Sequence, residues 1–197
     1  MQYIGDLSRN DFLILKELAS NSTNILEFGV GASTQIILNY TFGKVTSIDT
    51  SDEWIQLTKK NLEYLNINKP IDFQKYEDFR PNIDTKYDFV FNDGIDALRN
   101  NFGILIFENL KVGGVLAYHD TRRSRDIKNV SNLINKYHNE IDLIEINKNQ
   151  SNITLIRKKN YEPYENWNIV EEKIQLIKGG YVFKNTVPPP YMNKDIL

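Results

Sequence analysis

Apolar residues recur along the chain in two patterns, a helical repeat and short continuous runs that are typical of buried strands. A first helix is predicted from five apolar residues that can share one face: Phe12, Leu13, Leu15, Leu18 and Ala19. Ser8 or Asn10 can cap its start. Apolar runs then predict strands at 24–29, 44–49, 71–76, 87–91 and 115–118. Helical spacing predicts helices at 33–40, 52–65, 97–110 and 126–137, and Gly113-Gly114 predicts a turn.

The C-terminal part of this pattern predicts an antiparallel hairpin. Two strands, at 141–146 and 153–157, are joined by a polar link that is too short for a crossover helix. With the alternating strands and helices before it, the hairpin predicts an α/β fold: a Rossmann-like, doubly wound, mostly parallel seven-stranded sheet. We expect one domain over 1–159 and an extension over 160–197. That extension either packs on the core, covers the site, or forms a partly disordered tail.

Composition narrows the range of partners. The chain has 197 residues, a net charge of −2 and no cysteine. Disulfides, thiolate nucleophiles and zinc–thiolate sites are therefore excluded, and two histidines, His119 and His138, exclude a His-rich metal site. Without a basic excess, nucleic acid is not the expected partner. The N-terminus does not resemble a signal peptide, and no apolar run approaches the roughly 20 residues that cross a bilayer, so we predict a cytoplasmic protein without a membrane partner.

A glycine loop follows the first strand and opens a helix. Residues 27–34 read Glu-Phe-Gly-Val-Gly-Ala-Ser-Thr, so that two glycines allow a tight turn and close approach of a ligand to the backbone. An NAD site and an S-adenosylmethionine site both use such a loop. Glu27 favours the second, because a carboxylate there repels a pyrophosphate and attracts an ammonium or sulfonium cation. Thr34 stands where the dinucleotide fingerprint has its third glycine. Asp49, at the end of the second strand, suits ribose hydroxyls in either case.

At these residues the chain resembles the class I S-adenosylmethionine-dependent methyltransferases. The resemblance covers roughly residues 20 to 157 and includes 47–54, 87–94 and 110–116. It implies that Glu27, Gly29 and Gly31, with Ser33 beside them, hold the methionine end of the cofactor. It also implies that Asp49 binds the ribose, that Trp54 packs on the adenosine side, and that Asp78 meets the adenine amino group, with Glu77 as a competing choice for that last contact.

Three residues at neighbouring strand ends are candidates for catalysis: Asp93, His119 and Asp120. In one hypothesis, His119 or Asp120 is a general base for the acceptor. In another, Asp93 and Asp120 bind a divalent cation that orients acceptor oxygens. A resident metal is not the favoured prediction, because the fuller acidic pattern of metal-dependent O-methyltransferases is absent. In a third, these acids only cap strand ends and orient loops.

A basic cluster follows these candidates, formed by Arg122, Arg123 and Arg125. It either holds an anionic group of the acceptor by bidentate pairing or is a solvated surface run.

The resemblance predicts methyl transfer to an oxygen or nitrogen of a small-molecule acceptor. Asn92-Asp93-Gly94 stands where DNA amino-methyltransferases of the family carry Asn-Pro-Pro-Tyr, which disfavours a nucleic-acid acceptor. The alternatives are an NAD(P)-dependent oxidoreductase on a similar sheet and a binding module that keeps the cofactor without turnover. The sequence indicates neither the acceptor nor the oligomeric state.

Overall fold

A computed structural model describes residues 3–159 of the 197-residue chain. The predicted extension at 160–197 lies outside the described residues. The helices are α1 Arg9–Ser20, α2 Ala32–Tyr40, α3 Asp52–Tyr64, α4 Asp96–Ile106 and α5 Ser124–Tyr137. The strands are β1 Asn24–Phe28, β2 Lys44–Asp49, β3 Asp72–Lys75, β4 Tyr87–Asn92, β5 Leu110–Tyr118, β6 Ile141–Glu145 and β7 Thr154–Lys158. Within this part of the chain, no helix is both long and apolar enough to span a bilayer.

The strands form one seven-stranded sheet in the order β3-β2-β1-β4-β5-β7-β6. Strands β1 to β5 pair in parallel, and β7 runs antiparallel to both of its neighbours. The predicted fold class and the predicted antiparallel hairpin are therefore confirmed. The strand order reverses between β1 and β4, and in open α/β sheets ligands bind in the crevice at that point.

Strand register brings the C-terminal ends of the central strands to one level. Phe28 pairs with both Ile48 and Asn92, and Asn92 pairs in turn with Tyr118. The residues that follow these four come next to one another at the same edge of the sheet. The glycine loop, Asp49, Asp93 and His119 are gathered there by strand pairing alone.

The sheet is buried on both faces, which explains the continuous apolar runs of its central strands. Along β1, Leu26 and Phe28 belong to a cluster that packs against α4 and α5. Ile25 belongs to a second cluster on the opposite face, against α1 and α2. Side chains of one strand alternate between the two layers of the core, as strand geometry requires.

Two local predictions are wrong. Leu13 is 48% exposed, because the buried stripe of α1 consists of Asp11, Ile14, Leu15 and Ala19, and Leu13 lies outside it. The Gly113-Gly114 pair lies inside β5, where pairing skips from Tyr87 with Leu110 to Phe89 with Val115. The extra residues form an irregularity in the strand instead of a turn before it, with Gly113 at φ 75°.

Candidate active site

A cavity of about 930 Å³ opens at the reversal point of the strand order. This volume is within the roughly 300–1,000 Å³ of small-molecule sites. Eight of the predicted site residues line it: Gly29, Gly31, Ser33, Asp49, Trp54, Asp93, His119 and Asp120. Glu27 and Asp78 do not line it. Asp78 is an exposed residue beyond β3, so its predicted adenine contact gains no support from its position.

The two loop glycines serve different purposes. Gly29 has φ 95°, and a Cβ there would lie 2.4 Å from the carbonyl oxygen of Asp93. It allows the loop after β1 to pass close to the loop after β4. A Cβ on Gly31 would meet no protein atom within 4 Å. Since Gly31 borders the cavity, the space beside it is available to a ligand.

Glu27 lies inside the protein, behind the glycine loop. Its side chain is fully buried and accepts hydrogen bonds from Ser33 Oγ (2.5 Å), Thr34 Oγ1 (2.7 Å) and Ser47 Oγ (2.6 Å). Burial raises the pKa of Glu27 to about 7, against the opposing effect of the three hydroxyl groups. The sequence suggested a direct contact between Glu27 and a cationic cofactor. The buried position of the Glu27 side chain does not provide this contact. Glu27 instead fixes the loop to the start of α2 and to β2.

Asp49 connects the loop to the next helix. Its two carboxylate oxygens accept hydrogen bonds from the backbone N–H groups of Val30 (2.9 Å) and Ser51 (2.8 Å). Ser51 in turn caps α3. The carboxylate is only 9% exposed, yet it borders the cavity. It can therefore accept further hydrogen bonds from a ligand there, and ribose binding by Asp49 stays a prediction.

Two apolar side chains of α3 face the cavity. Trp54 is 55% exposed and Leu57 is 45% exposed, and both line the cavity. Their exposure is explained by the cavity in front of them, where they form an apolar wall beside Asp49. This position suits the predicted packing of Trp54 on the adenosine side of a cofactor.

The N-terminal segment borders the same cavity, which the sequence did not reveal. Residues 4–7 line it, and Ile4 exchanges two backbone hydrogen bonds with the Gln35 side chain, at 2.9 Å and 3.0 Å. Gly5 passes so close to α2 that a Cβ would lie 2.4 Å from Ala32 Cβ. A short segment without periodic apolar residues gives no signal of such a role.

Arg99 of α4 is the central cation of the site and was missed by the sequence analysis. Its guanidinium group lies 2.8 Å from Asp93 Oδ1, 3.4 Å from Asp120 Oδ2 and 3.3 Å from Asp126 Oδ1. Its side chain is 7% exposed, on the buried stripe of α4 that continues with Phe102. Its Nε also lies 3.8 Å from Asp96 Oδ1 in the same helix. The sequence did contain a signal of its burial, because Arg99 lies on the apolar stripe of a predicted helix.

His119 is surrounded by carboxylates. Its Nδ1 lies 3.2 Å from Asp93 Oδ1 and 3.6 Å from Asp120 Oδ1, and its Nε2 lies 3.7 Å from Asp11 Oδ2. Burial alone lowers its pKa, but the three carboxylates outweigh burial and raise the pKa to about 10. The raised pKa favours the cationic form of His119 at neutral pH. A protonated imidazole cannot accept a proton, so this geometry argues against His119 as the general base.

Asp11 contributes a buried carboxylate that the sequence analysis also missed. It is fully buried, and it accepts hydrogen bonds from Ser8 Oγ (2.6 Å) and from the N–H of Asn152 (2.8 Å). Burial tends to raise its pKa, but His119, Ser8 and the backbone donors lower it to about 2. In the sequence it is an ordinary acid in the first turn of a helix.

The predicted basic cluster does not act as a unit. Arg122 donates to the carbonyl oxygens of Gln150 and Ser151 in the β6–β7 link. Arg125 pairs with Asp96 at 2.5 Å and with Asp126. Of the three arginines, Arg123 alone lines the cavity; it is 58% exposed and lies 2.7 Å from Asp120 Oδ2.

The charge of His119 predicts a pH-dependent stability. Its folded pKa of about 10 is above the ordinary 6.5, so its contribution is complete below pH 6.5 and is lost as the pH rises through 10. Between pH 7 and 10, we expect the free energy of unfolding in urea to fall by on the order of 3 kcal/mol more than in His119→Asn. Parallel curves for the two proteins would contradict the charged state. The raised pKa of Glu27 lowers the stability mainly as the pH rises from 4.5 to about 7, and so adds little change between pH 7 and 10.

Comparison with solved structures supports the fold. An O-methyltransferase from Bacillus cereus in complex with SAH has a TM-score of 0.62 at 15% identity, over 80% of this chain and 84% of that chain. The O-methyltransferase TomG from Streptomyces achromogenes, in complex with SAM, has a TM-score of 0.62 at 12% identity, over 79% and 82%. The SAH-bound Podospora anserina methyltransferase PaMTH1 has a TM-score of 0.56 at 15% identity, over 78% and 80%.

No protein-family model and no curated protein matches the sequence. The structural likeness agrees with the strand order and with the antiparallel β7, which lies between β5 and β6. The chain therefore has the Rossmann-like fold of the S-adenosylmethionine-dependent methyltransferases.

Proposed function

We propose that this chain transfers the methyl group of S-adenosylmethionine to an oxygen atom of a small-molecule acceptor. The observation that carries the proposal is Gly31, which leaves free space between the glycine loop and a cavity at the reversal of the strand order. The O-methyltransferase neighbours that hold SAH or SAM support the choice of cofactor and of an oxygen acceptor.

The residues around the cavity suit this cofactor. Gly31 and the adjoining N–H groups at the start of α2 allow close approach of the methionine end. Asp49 is in place to accept hydrogen bonds from ribose hydroxyl groups, and Trp54 with Leu57 offers an apolar wall to the adenosine part. Glu27 acts indirectly in this proposal, by holding Ser33 and Thr34 in the loop.

Methyl transfer from this cofactor requires alignment of the acceptor with the methyl group more than activation of either one. S-adenosylmethionine supplies a methyl group that is already activated by the positive sulfur. The protein's task is to hold an acceptor oxygen in line with it, and well-oriented reactants gain large effective concentrations. Because the raised pKa of His119 favours its cationic form, Asp120, whose carboxylate lines the cavity with that of Asp93, is the predicted base that remains to accept the proton of an acceptor hydroxyl. In this proposal, His119 holds these carboxylates in place.

A nicotinamide-dependent oxidoreductase is less well supported. The dinucleotide-binding sheet has the order 3-2-1-4-5-6, without an antiparallel strand inserted beside its fifth strand. In this chain β7 occupies that place. A small-molecule acceptor, a cytoplasmic location and the absence of a nucleic-acid partner stay predictions from composition and resemblance. A module that binds the cofactor without turnover is distinguished only by an activity assay.

Calorimetric and thermal-shift titrations with S-adenosylhomocysteine (SAH) and with NAD test the proposal. We expect SAH at 100 times its dissociation constant to add about 2.7 kcal/mol to the free energy of unfolding, because it binds only the folded chain. NAD at the same concentration is expected to add nothing measurable. Tight binding of NADH together with no response to SAH would reverse the assignment.

A further inference from the structure

Three side chains that line the cavity have the composition of a metal site. The ligand atoms of Asp93, His119 and Asp120 lie within 4.8 Å of one another. Carboxylate oxygens are the ligands that Mg²⁺ and Mn²⁺ prefer. The residue types would therefore suit a divalent cation, and the question is whether their oxygen atoms are available to one.

Arg99 already pairs with one oxygen of each of these carboxylates. Its Nη2 lies 2.8 Å from Asp93 Oδ1, and its Nη1 lies 3.4 Å from Asp120 Oδ2. On the far side, Asp120 Oδ2 is also 2.7 Å from Arg123 Nη1. The cation that joins the loop after β4 to the loop after β5 is thus a side chain of the protein.

Arg99 is anchored in this position. Its Nε donates to the carbonyl oxygen of Gly94, and its Nη1 also lies 3.3 Å from the buried Asp126. The guanidinium group is almost entirely buried and has a permanent positive charge. A divalent ion between Asp93 and Asp120 would lie close to this fixed positive charge and would be repelled by it. The residues present therefore do not fit a resident metal.

We propose that Arg99 takes the place of a divalent cation between Asp93 and Asp120, so that this site functions without metal. Arg99 is then a positioning residue that holds the two cavity-lining carboxylates at a fixed separation. This inference concerns cation binding alone and does not depend on the proposed methyl transfer. A chain that bound neither SAH nor metal would remove the proposed function and leave this inference standing.

Titration of the 197-residue chain with Mn²⁺, in which electron paramagnetic resonance measures the free ion, tests the inference. We expect no saturable binding to the unaltered chain up to millimolar Mn²⁺, and no effect of EDTA on its SAH affinity. Arg99→Met keeps most of the side-chain volume and removes the charge. We expect this variant to bind Mn²⁺ at least tenfold more tightly than the unaltered chain does, and to lose that binding in the double variant Arg99→Met/Asp93→Asn.

Arg123→Met is the matched control. It removes a cation that also contacts Asp120 but is 58% exposed and does not reach Asp93. We expect no gain of Mn²⁺ binding from it, so an equal gain in both variants would show a general charge effect and overturn the inference. If Arg99→Met does not fold, the unaltered chain still decides the question. Saturable Mn²⁺ binding to it that is lost in Asp93→Asn would show a metal site where we infer none.

Discussion

Replacing Gly31 by valine is expected to weaken SAH binding by at least about 100-fold, which corresponds to about 2.7 kcal/mol. A side chain at this position projects into open space beside the cavity, where no protein atom lies within 4 Å of the Cβ position. It therefore fills room for the ligand and displaces nothing in the fold. We expect a small loss of stability, about 1 kcal/mol or less, because a glycine cap of α2 is replaced. Calorimetry and urea denaturation measure the two effects separately.

Gly29→Ala provides the contrasting control, since it changes the other glycine of the same loop. Its Cβ would lie 2.4 Å from the Asp93 carbonyl oxygen, at a φ of 95° that L-residues rarely adopt. We expect it to lower the free energy of unfolding by roughly 2 kcal/mol or more. If Gly31→Val instead unfolded the chain while Gly29→Ala left it intact, our separation of a ligand-facing glycine from a structural glycine would be wrong.

Glu27→Ala is expected to be the most destabilising single change in the loop. It leaves three buried hydroxyl groups, those of Ser33, Thr34 and Ser47, without the acceptor that they share. Each buried group that loses its partner costs about 1–3 kcal/mol, so we expect a loss of about 3 kcal/mol or more. Urea denaturation at pH 8 measures the loss.

Ser47→Ala is the matched control for that change, because it removes one of the three donors and keeps the carboxylate. We expect it to cost about 1 kcal/mol. One result for Glu27→Ala would favour the sequence-based interpretation, in which Glu27 contacts the cofactor directly. If Glu27→Ala kept its stability and lost only SAH binding, the carboxylate would act directly on the cofactor.

Strand ends were the part of the site that sequence could predict. Asp49, Asp93 and His119 each follow an apolar run, and parallel pairing places the residues after such runs at one edge of the sheet. The glycine loop was found in the same way, from its position between a strand and a helix. These predictions depend on the alternation of elements, which an apolar pattern records well.

Side-chain partners across the fold could not be predicted in this way. The predicted role of Glu27 depended on its charge alone. The direction in which its side chain points depends on hydroxyl groups contributed by α2 and β2. Asp11 and Arg99 were missed because their partners come from other elements of the chain. Helical spacing also does not distinguish a buried face of α3 from one that borders a cavity, as the face with Leu57 does.

The bond between Asp11 and Asn152 joins residues that are 141 positions apart. During synthesis, the ribosome releases α1 long before the β6–β7 link exists. A nascent chain that ends before this link lacks the Asn152 N–H that donates to Asp11. In the folded protein the Asp11 side chain is fully buried. The surroundings of Asp11 are therefore completed only after the β6–β7 link has been synthesised. Fragments that end before β6 should expose Asp11 and be degraded faster than the full chain in a cell-free translation extract.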